Sequence, residues 1–444
     1  VRVTPKGYTP EPLPRFDSLS DHQLVALLES RSQVRTLEAQ RTLLRRPLSA
    51  DTRSALLQLA GSPQKPLEAR VAALYALSQR ALSALPQADL LESIAPLAVD
   101  PTLQRFVLRA AGDAGLNRAP GTRGPAPAAW FAEGLHSQEP RTRLEALVGA
   151  ARQGLSGLAP EMAPLLGDSD PVVAHTAIRA LALLKADAAC FALLDTTGST
   201  EAQRQGALQA LMRIHDGHVV SGLLDRIART PESIGLLAAL CRLHFKEANW
   251  KGDSWGTRPD TRGPYYEPAT WEQTPRIAEA LKAILAKSSP AEAGSLVALL
   301  NRNRIQFNEA LTRILTLAEK DPRLIPDAVA QLAQADSIPA AGNPDSTSAT
   351  LAQALIVIAK TDRADCWKAA LKALSLLQKA KGSGKEQDSG RDAFLNSPKL
   401  ENVHQLMETE AAITGTEEAL WADAALLSLA KRTKSHALAL SPRA

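Results

Sequence analysis

Apolar residues recur along this chain at helical spacing, in short stretches separated by polar punctuation. In Ser32–Leu44, Val34, Leu37, Leu43 and Leu44 fall on one helical face, with the small Ala39 between them. Comparable stretches open at Lys65-Pro66-Leu67, Asp100-Pro101-Thr102, Glu139-Pro140-Arg141, Asp170-Pro171-Val172 and Ser199-Thr200-Glu201. The starts at 32, 65, 100, 139, 170 and 199 lie 33, 35, 39, 31 and 29 residues apart, which is the spacing of a helix–turn–helix repeat. An acidic residue followed by proline suits a helix start. The carboxylate can accept from the first unpaired N–H groups, and proline in the first turn forfeits no hydrogen bond. The pattern resumes over Ala349–Ile358, Asp365–Gln378 and Thr416–Lys431. No period-two alternation appears beyond Val1–Val3. The chain therefore reads as all-α: a right-handed α-solenoid of paired antiparallel helices from about residue 20 to about residue 432. An unrelated Ala/Leu-rich bundle is the alternative, but it would not need punctuation at near-constant spacing.

Several stretches interrupt the pattern. Arg118–Pro127 is rich in proline and glycine and reads as an extended inter-repeat loop. The stretches 336–350 and 381–398 read as mobile loops. The strongest interruption is Phe245–Trp271, which holds six of the chain's 17 aromatic residues and three of its six tryptophans. Gly252, Gly256, Pro259, Gly263, Pro264 and Pro268 forbid a helix there, and such a composition makes an ordered loop. Arg258 and Arg262 flank Asp260 closely enough for charge-assisted bonds. One reading is structural, a plug or cap of an inter-repeat groove. Another is a docking surface for a neighbouring domain or a polyol-like ligand, built from Trp250, Trp255, Arg258, Asp260, Arg262, Tyr265, Tyr266 and Trp271. A catalytic role is a third. Trp250 and Trp271 are expected as buried anchors, with Tyr265 and Tyr266 nearer the surface. The organisation that follows is a linker from an upstream domain over 1–19, repeats over 20–244, the aromatic loop over 245–273, and further helical repeats over 274–444.

Composition narrows the partners. Of 444 residues, 51 are Lys or Arg and 47 are Asp or Glu, a net charge of +4 that is too weak to point to nucleic acid. No 18-residue uncharged apolar run is present, so no direct membrane insertion is expected. Cys190, Cys241 and Cys366 cannot all pair and suit buried thiols. There is no HExxH, GxGxxG or GxSxG. Gly382-Ser383-Gly384-Lys385 lacks the upstream glycine and the strand of a phosphate loop. His215, Asp216 and His218 could share a helix face, but no third or fourth ligand for zinc is evident, and they read as a polar helix end. His244 sits beside the aromatic stretch and could bond its backbone. Arg41, Arg45 and Arg46 read as a solvated helix end.

The repeat pattern resembles HEAT repeats, with Asp170–Leu181 the best copy of their D-P-x-V-x-x-x-A second helix. The run Trp250-Lys251-Gly252…Trp255-Gly256-Thr257-Arg258-Pro259-Asp260-Thr261-Arg262-Gly263-Pro264-Tyr265-Tyr266…Trp271-Glu272 resembles a signature of the planctomycete- and verrucomicrobial-type putative membrane-bound dehydrogenase, or haem-binding, family. Asn301–Ile305 and the opening Val1–Tyr8 are similar to that family too. Its members join a sugar-dehydrogenase-like β-propeller, a HEAT region and a cytochrome c module. The resemblance implies the middle module of such a protein, in an extracytoplasmic or periplasmic setting, with the propeller and cytochrome c modules as partners. The chain lacks Cys-x-x-Cys-His and the propeller, so no haem, quinone or other cofactor is expected in it, and it is expected not to be an enzyme. The functional expectation is a non-catalytic HEAT scaffold. The alternatives are a free-standing protein-binding adaptor and a HEAT-like nucleic-acid enzyme that would stack bases on Trp250, Trp255 or Trp271.

Overall fold

The computed structural model describes residues 7, 12–84, 87–114, 126–249 and 267–334, with 353–354, 356–358, 360–361 and 366. The alternating Val1–Val3, most of the Arg118–Pro127 loop, the loops at 336–350 and 381–398, and the helices expected after 366 lie outside these residues. The chain divides into two compact units, Val1–Ile214 and His215–Ala444.

The first unit is a stack of helix pairs. Its first helices are α1 (Asp21–Leu27), α3 (Ala50–Gly61), α5 (Gln87–Ile94), α7 (Ala128–Leu135), α9 (Ala159–Met162) and α11 (Asp187–Asp195). Its second helices are α2 (Gln33–Arg45), α4 (Leu67–Ala84), α6 (Gln104–Asp113), α8 (Pro140–Arg152), α10 (Pro171–Leu183) and α12 (Glu201–Leu211). Each second helix packs on the next, from α2 on α4 through to α10 on α12. The second unit repeats the scheme with α13 (Gly217–Arg229), α14 (Ile234–Arg242), α15 (Thr274–Lys287), α16 (Pro290–Arg302), α17 (Asn308–Ala318) and α18 (Ile325–Gln334), where α14, α16 and α18 stack. Among the described residues the strands form one antiparallel pair of two-residue strands, β1 (Lys246–Glu247) and β2 (Pro268–Ala269), too short to leave a pattern in the sequence. The fold class is an all-α helical-repeat solenoid. No described helix is long and apolar enough to cross a membrane.

The acidic-proline starts do more than cap. Asp170 behaves as expected, its carboxylate accepting from the Val172 and Val173 N–H groups ahead of Pro171. Asp100 does not cap a helix. It accepts from the Thr102 N–H at 2.8 Å and hydroxyl at 2.7 Å in a turn, and α6 begins only at Gln104. Glu139 makes no cap bond either; its carboxylate is taken by the Thr142 hydroxyl and by Arg105. The competing demand is an ion pair between repeats. Arg70 of α4 binds Asp100 at the start of the next pair, Arg105 of α6 binds Glu139, and Arg143 of α8 binds Asp168. Arg143 meets Asp168 through two bonds, of 2.7 and 2.8 Å, while its third nitrogen donates to the Ser137 and Gln138 carbonyls. These side chains are only 13% and 5% exposed, so the charges are viable because nearly every donor is used. Burial alone would raise the Asp168 carboxyl; Arg143 and the Asp170 N–H outweigh it and hold the group below its ordinary range. On α10 the corresponding position holds His175, which is exposed.

The tightest joint lies between α6 and α8. A Cβ at Gly112 would fall 2.6 Å from the Gly149 Cα, and a Cβ at Gly149 would overlap the fully buried Phe131 of α7. Glycine is required at both places because the backbones themselves touch. Second helices also share one ending. After α8, α10 and α16, Gly154, Lys185 and Arg304 take left-handed φ values of 65°, 51° and 57°. The next residue reaches back five: Leu155 to Ala150, Ala186 to Leu181, Ile305 to Leu300, all through N–H···O bonds of 2.9–3.0 Å. Leu155, Ala186 and Ile305 are then buried. This closes the helix carbonyls and aims the chain into the next repeat.

Candidate functional site

Two places concentrate side chains of functional interest, one in each unit. In the first, the starting prolines put equivalent positions of successive second helices in register. The residues four, eight and twelve after Pro101 are Arg105, Arg109 and Asp113 on α6, with Thr102 in the turn before it. The residues one, four, eight and twelve after proline are Arg141, Leu144, Val148 and Arg152 on α8, and Val172, His175, Arg179 and Leu183 on α10. These spacings trace one helix face. The Arg105 guanidinium lies 4.6 Å from the Phe106 ring centre, and Phe106 meets Tyr75 of α4 edge-on at 6.3 Å. Arg109 bonds both Asp113 oxygens at 3.2 Å, and Arg152 binds the same carboxylate. Glu145 Oε2 is buried 3.7 Å from Arg109 without a hydrogen bond, and burial pushes its carboxyl above the ordinary range. Burial, with the Glu145 charge, likewise pushes the Tyr75 phenol up. On α10 the face is open: Val172, His175, Arg179 and Leu183 are all exposed.

In the second unit, β1 and β2 form the neck of the aromatic stretch. Lys246 pairs with Ala269 and Glu247 with Pro268, antiparallel. The Ala248 N–H donates to the Glu267 carbonyl and the Glu267 N–H to Glu247 Oε1, both at 2.9 Å. Below the neck, three consecutive carbonyls past the end of α14 are each closed by a side chain from elsewhere. The Trp271 indole N–H donates to Leu243 at 2.7 Å, the Thr274 hydroxyl to His244 at 2.6 Å, and His215 Nε2 to Phe245 at 2.8 Å. Thr274 Oγ1 also accepts from the Trp271 N–H. The Trp271 and His215 rings meet edge-on at 5.3 Å. Trp271 is 8% exposed, as a large ring with one satisfied N–H should be. Of the predicted site residues, Trp271 is the one the structure describes; Trp250, Trp255, Arg258, Asp260, Arg262, Tyr265 and Tyr266 lie outside the described residues.

The histidines differ from their sequence reading. His215 is turned to Phe245, Asp216 caps α13 through the His218 N–H, and His218 is exposed. His244 does not bond the loop backbone. Its ring is 6% exposed against Phe245 at 4.3 Å and Phe307 at 6.2 Å, and its Nδ1 has no hydrogen-bond partner. Among the described residues no three His, Cys, Asp or Glu side chains come together as a metal site. Burial pushes the Cys190 and Cys241 thiols up to about 12, the state of inert core sulfur. Arg46 corrects the solvated basic spot: it binds Asp21 at 2.8 Å and the Leu19 and Asp17 carbonyls, tying the N-terminal segment to α2.

Sequence reasoning missed the Arg–acid pairs and the roles of His215 and Thr274. For the pairs a signal was present, an arginine three or four residues after Pro66, Pro101 and Pro140. For the clamp there was none, because its members are 30 residues apart.

Residues 128–212 match the HEAT repeats family. No curated protein matches the chain. Among solved structures, a Kap121p mutant aligns with 93% of this chain at a TM-score of 0.50 and 11% identity. Another Kap121p structure gives 0.48 over 93% at 11% identity. This chain spans about half of Kap121p, 51% in both structures. An engineered protein from a structural genomics programme aligns over 87% of this chain and 99% of its own, at 19% identity and a TM-score of 0.34. These likenesses concern the fold. The stacked pairs, the acidic-proline starts and the family match make residues 128–212 a run of HEAT repeats within an all-α solenoid chain.

Proposed function

We propose that this chain is a non-catalytic protein-interaction scaffold, and that its second-helix face is a docking surface. The observation that carries this is the register of α6, α8 and α10. Arg–acid pairs, of which Arg143–Asp168 is the most enclosed, and the Gly112–Gly149 contact fix α6, α8 and the start of α10, and Val172, His175, Arg179 and Leu183 form an exposed stripe on α10. Arginine and aromatic side chains on a rigid support suit hot spots, because little freedom is lost on binding. In the finer reading, which rests on the family resemblance, the partners are a β-propeller and a cytochrome c module of one extracytoplasmic protein, and the chain itself holds no haem or quinone. The aromatic residues 250–266, carried on the clamped neck, are the second contact.

The test is binding of the chain to separately purified propeller and cytochrome modules encoded beside it. Arg179→Glu should weaken binding at least tenfold and leave the melting temperature unchanged, since its side chain is exposed. Binding unaffected by Arg179→Glu and by Leu183→Asp would remove the face from the account. A covalent haem band, or dye-linked sugar oxidation by the purified chain, would overturn the non-catalytic reading.

A further inference from the structure

Two histidines in unequal situations lie at the neck. His215 donates through Nε2 to the Phe245 carbonyl, a bond that either the neutral or the protonated ring can make. His244 is different. Its ring is enclosed by Phe245 and Phe307, its Nδ1 is bonded to nothing, and its own carbonyl is held by Thr274. A protonated His244 would carry a second N–H with no acceptor inside an apolar wall. The Phe307 ring offers little relief, because the Lys282 ammonium already lies 5.5 Å from its centre. The charged groups around the pair are of both signs: the cations Arg242 on α14, Lys246 on β1 and Lys282 on α15, and the acids Asp216 ahead of α13 and Glu272 after Trp271; Arg242 and Lys246 disfavour a positive charge on His215. Glu247 of β1 is engaged by the Glu267 N–H, and Glu309 of α17 by Lys282.

We propose that the His215–His244 clamp is an acid-sensitive latch, which holds the β1–β2 neck closed when both rings are neutral and opens it locally when His244 takes up a proton.

The direction follows from the burial. Desolvation pushes His244 down to about 4 in the closed neck, against an ordinary value of about 6.5. His215 is also lowered, first by burial and then by Arg242 and Lys246, with the Phe245 carbonyl opposing them. Above pH ~6.5 both the closed and open necks hold His244 neutral, and closure is at full strength. Below that pH the open form takes up a proton that the closed form refuses until about pH 4. Opening then becomes about tenfold easier per pH unit, or about 30-fold easier at pH 5 than at neutral pH. The Arg70–Asp100 and Arg143–Asp168 pairs of the first unit feel none of this, since both carboxylates are held below their ordinary range by their arginines and neighbouring N–H groups.

The experiment is hydrogen exchange with mass spectrometry on the intact chain at pH 7.5 and 5.0, corrected for the intrinsic pH dependence of exchange. Peptides covering 243–249 and 267–274 should lose about 30-fold in protection at pH 5.0, while peptides from α10 and α12 hold theirs. His244→Phe, which cannot be protonated, should abolish the loss. An NMR titration of His244 in the unmodified chain gives an independent reading should that variant fail to fold: a midpoint near 4 supports the latch, and one near 6.5 overturns it. Equal loss of protection in His244→Phe, or no loss in the unmodified chain, also overturns it.

Discussion

Replacing Gly149 by alanine sets two effects of opposite sign against each other. Alanine in a helix interior is favoured over glycine by about 1 kcal/mol. At this site, however, the added methyl would overlap Phe131 Cε1, lie 3.0 Å from Phe131 Cδ1 and lie 3.1 Å from the Leu108 carbonyl oxygen. Carbon atoms prefer about 3.5–4.0 Å. Phe131 cannot turn away, because its ring is fully buried, and Leu108 presents backbone. Helix α8 must therefore back off from both α6 and α7. A gap of about 0.5–1 Å forfeits a quarter to a half of each dispersion contact along the joint. Overpacking of this kind costs about 1–3 kcal/mol, or more where backbone must move, and here it outweighs the propensity gain. The expected net loss is about 2 kcal/mol, with the unit that contains α8 melting about 4–8 °C lower. Circular dichroism of the intact chain during heating measures it. Gly157→Ala and Gly198→Ala, where nothing lies within 4 Å of the new methyl, should change little. If Gly149→Ala melts at or above the temperature of the unmodified chain, the close approach of α6 and α8 is wrong.

Other perturbations test other parts of the fold. Arg143→Ala strands Asp168 in a site 5% exposed and should cost about 3–5 kcal/mol in urea unfolding, whereas the double change Arg143→Met with Asp168→Leu should recover most of it. Because Asp168 is held below its ordinary range, the contribution of the pair is present above pH ~4 and is lost on acidification below it, and Arg143→Ala should flatten that part of the stability curve. Trp271→Phe keeps the ring but orphans the Leu243 carbonyl; an expected loss of about 1–3 kcal/mol should appear as faster exchange at 243–249, with α8 unaffected. Arg304→Gly relieves a left-handed side-chain residue and should stabilise by about 1 kcal/mol; destabilisation would show that the Arg304 side chain contributes more than its backbone strain costs.

The helix pairs were legible because periodicity and punctuation are local properties. Of the predicted starts, Ser32, Glu139 and Asp170 each stand one residue before an observed helix, and Ser199 stands two before. Asp100 was misread because a carboxylate before proline has more than one use. Thr102 and Arg70 claim it, and only the fold brings Arg70 close. The neck escaped notice for a related reason. Two-residue strands carry no period, and the bonds that secure them join residues near 215, 243 and 271, which no local window spans. What could be read was the chemical character of the stretch between them: an excess of aromatics on a backbone unable to form a helix, bounded by Trp271, an apolar ring with one N–H to satisfy.

The Arg–acid pairs have a mechanical meaning as well. Arg70–Asp100, Arg105–Glu139 and Arg143–Asp168 each cross one joint, so a pull along the stack must break charge-assisted bonds before those helices can slide apart. Ahead of α12 the place of the arginine is taken by the exposed His175, and α12 rests instead on the turn Ala163–Gly167 that precedes α10, through Gly206 against Leu166 and Gly167 against Gln203. Packing of that kind resists compression but has little reach once separated. Under tension the stack therefore behaves as a stiff spring over α4–α10 with a softer coil beyond it, and extension by a tethered partner would be taken up first between α10 and α12.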